Sequence, residues 1–359
     1  MDKKLRIVIA SVGRFHVLDL ARELHAIGHN VTFISIVPKW RADRFGLPRD
    51  CLTSLFWICT PLIGLTYLTT GRLRKFIETL MIHYLDVIVA HIMPACDVFI
   101  GMSHVYVKSE RAAKIKYGAL TICERGSTHA QFQERLMKRL GSTEVSPAAI
   151  IRRELDCYKN YDFIAIPALH VKKSFEEFGV PKHKLMVNPY AVDLRMFSPL
   201  LRTNRQKEKK KAIFAGRWGL RKGADLMVEM RSQFDFFLSH VGPKDDFPLP
   251  LDDPQFNSLG PVDQLDLPKH YSDADFAILI SREEGLALVQ AQALACGLPL
   301  LCSQHTGGND LKELIDIPDA IVEVDINDPD SIRNGFKKVT KLSDDLTGAD
   351  LLGDKGRQN

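Results

Sequence analysis

The sequence predicts an α/β protein of two Rossmann-like domains, each a doubly wound, mostly parallel sheet. Three observations carry that expectation. Apolar runs rich in β-formers alternate with stretches of helical periodicity, as where Asp275–Ile280 is followed by Leu286–Ala295 and then Leu298–Cys302. The 359 residues exceed what one compact core usually holds. Arg202–Lys211, with six basic residues and one acid, is a core-poor run of the kind that separates domains. The expected division is residues 1–190, residues 191–340, and a polar tail, 341–359, whose return to the first domain is left open.

In the first domain Leu5–Ala10 is a continuous apolar run, as a central parallel strand requires. The turn Ser11–His16 leads into a helix with Val17, Leu20, Ala21, Leu24 and Ile27 on its inner side, and Gly28 is placed to end it. Val31–Ile36, Asp97–Gly101, Ala119–Cys123 and Phe163–Ile166 read as further strands. Only Gly13 stands where a GxGxxG fingerprint needs three glycines, which argues against NAD or FAD. The opening MDKKLRIVIA reads as a strand rather than a signal peptide, its apolar run being too short. Seven cysteines show no CxxC pair and no metal-ligand spacing, which favours reduced thiols. The expected location is therefore the cytoplasm, including the inner face of a membrane. A net charge of +4 is too weak to argue for nucleic acid.

Two segments of this domain stand apart. Leu52–Leu68 is apolar and aromatic, and Arg72, Arg74 and Lys75 follow it. Interrupted by Ser54, Pro61 and Gly64, it is a poor membrane-spanning helix. It reads first as an irregular, partly buried insertion and second as a patch dipping into a bilayer. Glu124–His129 follows the strand Ala119–Cys123 with an acid, a guanidinium, hydroxyls and an imidazole. Crowded at a strand's carboxyl end, these residues suit a crevice better than a solvated turn.

Val187–Asp193 lacks helical periodicity and reads as a hinge, and the basic run beyond it reads first as a solvated loop and second as a membrane-facing patch. The strand Ala212–Ala215 then feeds Gly216–Gly223, in which Arg217 and Lys222 flank a glycine-bearing loop ahead of a helix. Two cations beside a helix N-terminus suit a diphosphate, although GxxxxGK[ST] is absent. Gly260–Val262, after the strand Phe256–Gly260, offers backbone groups to a planar base. In the stretch Ser281–Asp310, Glu284 sits at a strand end and Gln292 lies eight positions on, about two helical turns, so both could face one ligand.

The motifs FAGRWGLRKGADL, SLGPVDQLDLPKHYSDADFAILISREEGLALVQAQALACGLPLLCSQHTGG and PYAVDLRMFSP together resemble glycosyltransferase family 4. That family comprises nucleotide-sugar enzymes of the GT-B fold, two Rossmann-like domains facing across a cleft, which retain anomeric configuration. The resemblance implies that Arg217, Lys222 and Glu284 carry the chemistry. It places Gly13, Gly216, Gly260, Val262, Gly285, Leu286, Ala287, Leu288 and Gln292 around the donor, and His16, Arg125, Ser127 and His129 on the acceptor side. It further implies a nucleoside diphosphate sugar as substrate (UDP or GDP), a glycan or lipid-linked acceptor, possible peripheral membrane association, and no metal or other cofactor. The chain departs from the family pattern at Gln292, where an acid is usual, at Ala191 in place of a hinge glycine, and at Arg125 in place of a histidine. Gln292, Ala191 and the missing second glycine after Gly13 keep open a non-catalytic nucleotide-sugar-binding protein, and a nucleotide-sugar epimerase of the same fold is a further alternative. Asp273–Ala274–Asp275 mimics the metal-binding DxD of GT-A enzymes but borders a buried strand, so its expected role is structural.

Overall fold

A computed structural model describes residues 3–199, 209–346 and 351–352 of the chain. Most of the expected basic linker and most of the tail lie outside the described residues. The alternation of apolar runs and helices resolves into thirteen strands among the described residues. The first seven are β1 (Arg6–Ser11), β2 (Asn30–Ser35), β3 (Leu52–Ser54), β4 (Val98–Met102), β5 (Leu120–Glu124), β6 (Phe163–Ile166) and β7 (Leu185–Val187), ordered β3-β2-β1-β4-β5-β6-β7. A second sheet holds β8 (Lys210–Ala215), β9 (Phe236–Val241), β10 (Phe256–Ser258), β11 (Phe276–Leu279), β12 (Leu300–Ser303) and β13 (Ile321–Val324), ordered β10-β9-β8-β11-β12-β13. Neighbouring strands run parallel, with β8 between β9 and β11. Helices cover both faces of such sheets, so Ile7–Ala10 and Ala212–Phe214 are buried on each side.

Strand order therefore reverses at β1/β4 in one sheet and at β8/β11 in the other. By contact the chain forms two compact units. One comprises Met1–Arg125, Ser146–Ile166 and Gly179–Met186; the other comprises Gly126–Val145, Pro167–Phe178 and Val187–Asn359. Two segments that leave the first sheet, after β5 and after β6, thus pack with the second unit.

The structure corrects several readings. Leu52–Leu68 is not irregular: β3 opens it and a helix, Phe56–Leu68, follows with Pro61 inside. Pro61 removes one amide donor, but the helix packs against the long helix Gly71–Ile92, and Thr60 returns a hydroxyl to the Phe56 carbonyl (2.8 Å). Tertiary packing of this kind leaves no trace in local periodicity. Ile27 is 72% exposed, because the inner face of its helix is set by Val17, Leu18 and Ala21 instead. The short strands β3, β7 and β13 were not anticipated. Asp275 accepts from the Lys211 amide at 2.7 Å, in keeping with the structural role expected of it.

One buried acid holds the first unit's helices in place. Asp86, on the helix Gly71–Ile92, is wholly buried, and its carboxylate accepts from the amides of Val107, Lys108 and Ser109 at 2.9–3.2 Å. These are the orphan donors of the helix Val107–Tyr117, whose own flanking residue, Tyr106, supplies no cap. Arg153 from a third helix closes the group at 2.9 Å. Removing one partner of a buried ion pair leaves the other uncompensated. Asp86→Ala is therefore expected to lower unfolding free energy by about 3–5 kcal/mol in urea titration, with Asp86→Asn losing less.

Candidate active site

In a doubly wound sheet the ligand crevice opens beyond the carboxyl ends of the strands where their order reverses. In the second unit that point lies between β8 and β11. The loop after β8 closes with a short turn, Leu220–Lys222, before Gly223 and the helix Ala224–Gln233. Gly223 has φ +75°, and a Cβ there would lie 2.3 Å from the Ile280 carbonyl oxygen, so only glycine lets this loop lie against the end of β11. Arg282 then stitches the loops together. Its amide donates to the Arg221 carbonyl and its Nη1 to the Leu220 carbonyl, both at 2.8 Å, while its guanidinium grips Asp225 at 2.6 Å through each nitrogen.

Each loop presents a pair of adjacent charges, Arg221–Lys222 on one and Glu283–Glu284 on the other. Lys222 Nζ contacts the Glu284 carboxylate directly. Arg221 Nη1 reaches Glu283 Oε2 at 3.1 Å, the Glu283 carbonyl at 3.0 Å and Glu284 Oε1 at 3.6 Å. Glu283 is almost fully enclosed. Its Oε1 accepts from Ser127 Oγ (2.5 Å), the Thr128 amide (3.0 Å) and Thr128 Oγ1 (2.8 Å), and Oε2 accepts from Gln133 Nε2 (3.0 Å).

Burial on its own would raise the Glu283 pKa. The Arg221 charge and the Ser127 and Thr128 donors outweigh it and hold the carboxyl at about 2. Burial likewise works against the Arg221 charge, yet Glu284 and Glu283 raise its pKa overall. For Lys222 burial prevails and lowers the ammonium pKa, with Glu284 opposing and Arg221 adding to the fall.

Of the residues expected to act, Lys222 and Glu284 are brought together and Arg217 is not. Arg217 is 60% exposed, with Asp245 Oδ2 4.0 Å from its Nη1. Gly216 and Gly260 lie just past β8 and β10, where their carbonyls accept from His240 Nε2 and the Gly242 amide, both at 2.9 Å; Val262 is half-buried beyond them. A Cβ on Gly285 would stand 2.1 Å from the Gly126 carbonyl oxygen, so backbone approaches backbone there. Leu286 is buried, and Ala287 leads into the helix whose first residue is Leu288.

Gln292 is buried, and its amide makes no hydrogen bond among the described residues. Gln290, about 200° away around the helix, instead ties to Thr306, donating to its carbonyl at 2.6 Å. Ser127 serves Glu283. His129 caps the helix Ala130–Arg139, accepting from the Gln131 amide, and stacks on Phe178 at 4.5 Å. Glu283 also borders a cavity of ≈ 630 Å³, lined by Thr128, His170, Lys173, Arg282, His305 and Asp310 among others.

The remaining acceptor-side candidates, His16 and Arg125, belong to the first unit, as does Gly13, expected around the donor. Gly13 lies beyond β1, its carbonyl accepting from Ser11 Oγ at 2.7 Å. His16 Nε2 pairs with Glu124 Oε1 at 2.8 Å, joining the ends of β1 and β5. Arg125 Nη1 meets Glu154 at 2.7 Å, and His104 Nδ1 meets the same oxygen at 3.1 Å. Burial would raise the Glu154 pKa; Arg125 and His104 bring it down to about 2. Among the described residues no group of three or more His, Cys, Asp or Glu side chains is placed to hold a metal ion.

Sequence reasoning passed over Arg221, Glu283 and Thr128. The available signal was the doublets themselves, like charges adjacent on two loops whose strands are neighbours.

Residues 209–341 match the family model described as Glycosyl transferases group 1. That stretch contains Arg217, Arg221, Lys222, Glu283, Glu284 and Gln292, and it covers the second sheet. Solved structures matching nearly the whole chain include the sucrose-phosphate synthase of Thermosynechococcus elongatus (18% identity, TM-score 0.69, covering 99% of this chain and 94% of that one). HepE of Anabaena in complex with UDP-glucose matches at 11% identity and TM-score 0.64, covering 99% and 95%. The catalytic domain of starch synthase IV from Arabidopsis thaliana, bound to ADP and acarbose, matches at 10% and 0.62, covering 99% and 98%. At these identities the likeness establishes the fold, which is GT-B. No curated protein sequence matches the chain.

A carboxyl whose pKa is depressed on folding stabilises the protein above its unfolded value, and that stabilisation fades as pH falls toward the folded one. Unfolding free energies from urea titration of wild type and Glu283→Gln should accordingly differ most above about pH 5, by roughly 3 kcal/mol, and converge as pH drops toward 2. A difference independent of pH would show that the Glu283 charge is not what matters.

Proposed function

We propose that the chain is a glycosyltransferase. It moves a sugar from a nucleoside diphosphate sugar to a glycan or lipid-linked acceptor, retaining anomeric configuration and using no metal ion. The observation that carries this reading is the Lys222–Glu284 pair, clasped by Arg221 and Glu283 at the point of strand reversal within a stretch matching glycosyl transferases group 1. Departure of a diphosphate concentrates negative charge on its oxygens. Fixed cations in an enclosed site stabilise that charge without reorganising, usually the largest single term in such catalysis.

Lys222 offers a compact point charge, Arg221 a fork with one nitrogen already engaged, and Arg217 a second fork at the surface. In this reading Glu284, held by Lys222, accepts from hydroxyls of the transferred sugar. The departing phosphate oxygen takes the acceptor proton, so no separate nucleophile is needed. At position 292 an amide accepts from a ribose hydroxyl through its oxygen, without the added strength of a charged partner. The UDP-glucose bound by HepE supports a uridine donor, and the ADP of starch synthase IV makes adenosine the next to test.

Nucleoside diphosphates should raise the melting temperature in proportion to occupancy, with UDP or GDP acting at the lowest concentration. With the matching nucleotide sugar and an acceptor, Arg217→Ala and Lys222→Ala are expected to lower turnover at least tenfold, the scale of losing one preorganised donor. Nucleotide release at no more than the hydrolysis rate would make the chain a binding protein. An isomerised donor in the absence of acceptor would make it an epimerase. Unchanged turnover in Arg217→Ala would remove that residue from the diphosphate site.

A further inference from the structure

We propose that the helix pair Phe56–Leu68 and Gly71–Ile92 docks the chain on an anionic lipid surface. The first helix carries no acidic or basic residue; Cys59 is buried, yet Trp57, Ile58, Leu65, Tyr67 and Leu68 are left exposed. Trp57 is 81% exposed, Tyr67 84% and Leu68 83%, and Leu73 and Phe76 on the next helix continue the patch. A contiguous exposed apolar surface of this kind marks an interaction site.

Thirteen residues of helix reach about 20 Å, short of the ~30 Å hydrocarbon core. Among the described residues no helix is long and apolar enough to cross a membrane. The pair therefore lies in the interface, with Trp57 and Tyr67 near the two ends of its first helix, where amphipathic rings settle at headgroup level.

Charge selects the occupant. Between Lys39 and Leu80 stand seven basic and three acidic residues, a surplus of +4 that equals the formal charge of the whole chain. Lys39, Trp40 and Arg41 are exposed on the helix that follows β2, and the Ser54 hydroxyl donates to the Val37 carbonyl at 2.8 Å. The two chain stretches that enter these helices thus lie side by side. A second copy packed on this patch in two-fold fashion would set the surplus against itself. An anionic headgroup layer attracts it, at a strength that falls with added salt.

The test uses the full chain, without nucleotide, and vesicles of phosphatidylcholine alone or with about 30% phosphatidylglycerol. Of three tryptophans Trp218 is buried, so an emission shift reports on Trp40 and Trp57. Anionic vesicles should co-sediment the protein and move emission to the blue, with neutral vesicles at least tenfold weaker. The double variant Trp57→Ser, Leu68→Ser should bind at least tenfold less while keeping the wild-type urea midpoint. Equal binding by that variant, or none by wild type, overturns the proposal. A dimer in sedimentation equilibrium that the double variant dissolves, without vesicle binding, would assign the patch to self-association. Because no donor is present, this result stands or falls apart from the glycosyltransferase reading.

Discussion

An enclosed carboxylate must be charged and fully bonded or not charged at all. Glu283 is charged, and each of its oxygens is occupied: Ser127 and Thr128 on one side, Arg221 and Gln133 on the other. That requirement fixes three stretches of chain at once: the loop after β8, the loop after β11, and the segment entering the helix Ala130–Arg139. Because Glu283 is immobilised, the next residue is immobilised too, and Glu284 comes to Lys222 without a search. The backbone adds to the constraint, since the Glu284 amide donates to the His305 carbonyl (3.1 Å) and its own carbonyl meets His170 Nε2 (2.9 Å). Glu283 thus positions, and Glu284 is positioned.

The first unit solves the same problem with different residues. Glu154 takes Arg125 and His104, and Asp86 takes three helix amides and Arg153. In each case an acid far along the sequence supplies the charge balance of a loop at a strand end or a helix N-terminus. Neither arrangement could be read locally, because the partners of Asp86 begin about twenty residues away and Arg125 lies 29 residues from Glu154.

Most of the regular structure was legible, for a plain reason. Central parallel strands are buried on both faces, so β1, β4, β8 and β11 read as unbroken apolar runs wherever they occur. Three of the four edge strands escaped: β3, β7 and β13 are three or four residues long, too short to show a period, whereas the equally short edge strand β10 was read from its flanking residues. At the site, motif spacing located Lys222 and Glu284. It could not separate Arg217 from Arg221, since both are arginines on one glycine-bearing loop. Only the structure separates them: Arg221 reaches Glu283 on the loop after β11, whereas Arg217 stays 60% exposed.

That division has a physical consequence for any anionic ligand. Arg221, Lys222, Glu283 and Glu284 carry no net charge together, which lets them stay enclosed and paired without a ligand. A diphosphate entering there adds negative charge to a balanced set. It must draw Lys222 partly from Glu284 or bring in a further cation. Arg217, exposed and with Asp245 4.0 Å away, has little enclosure to lose. Under the proposed function the buried pair therefore supplies preorganisation and the surface guanidinium supplies surplus charge. The proposed donor site needs both, because a rigid neutral cluster orients a diphosphate but does not attract it.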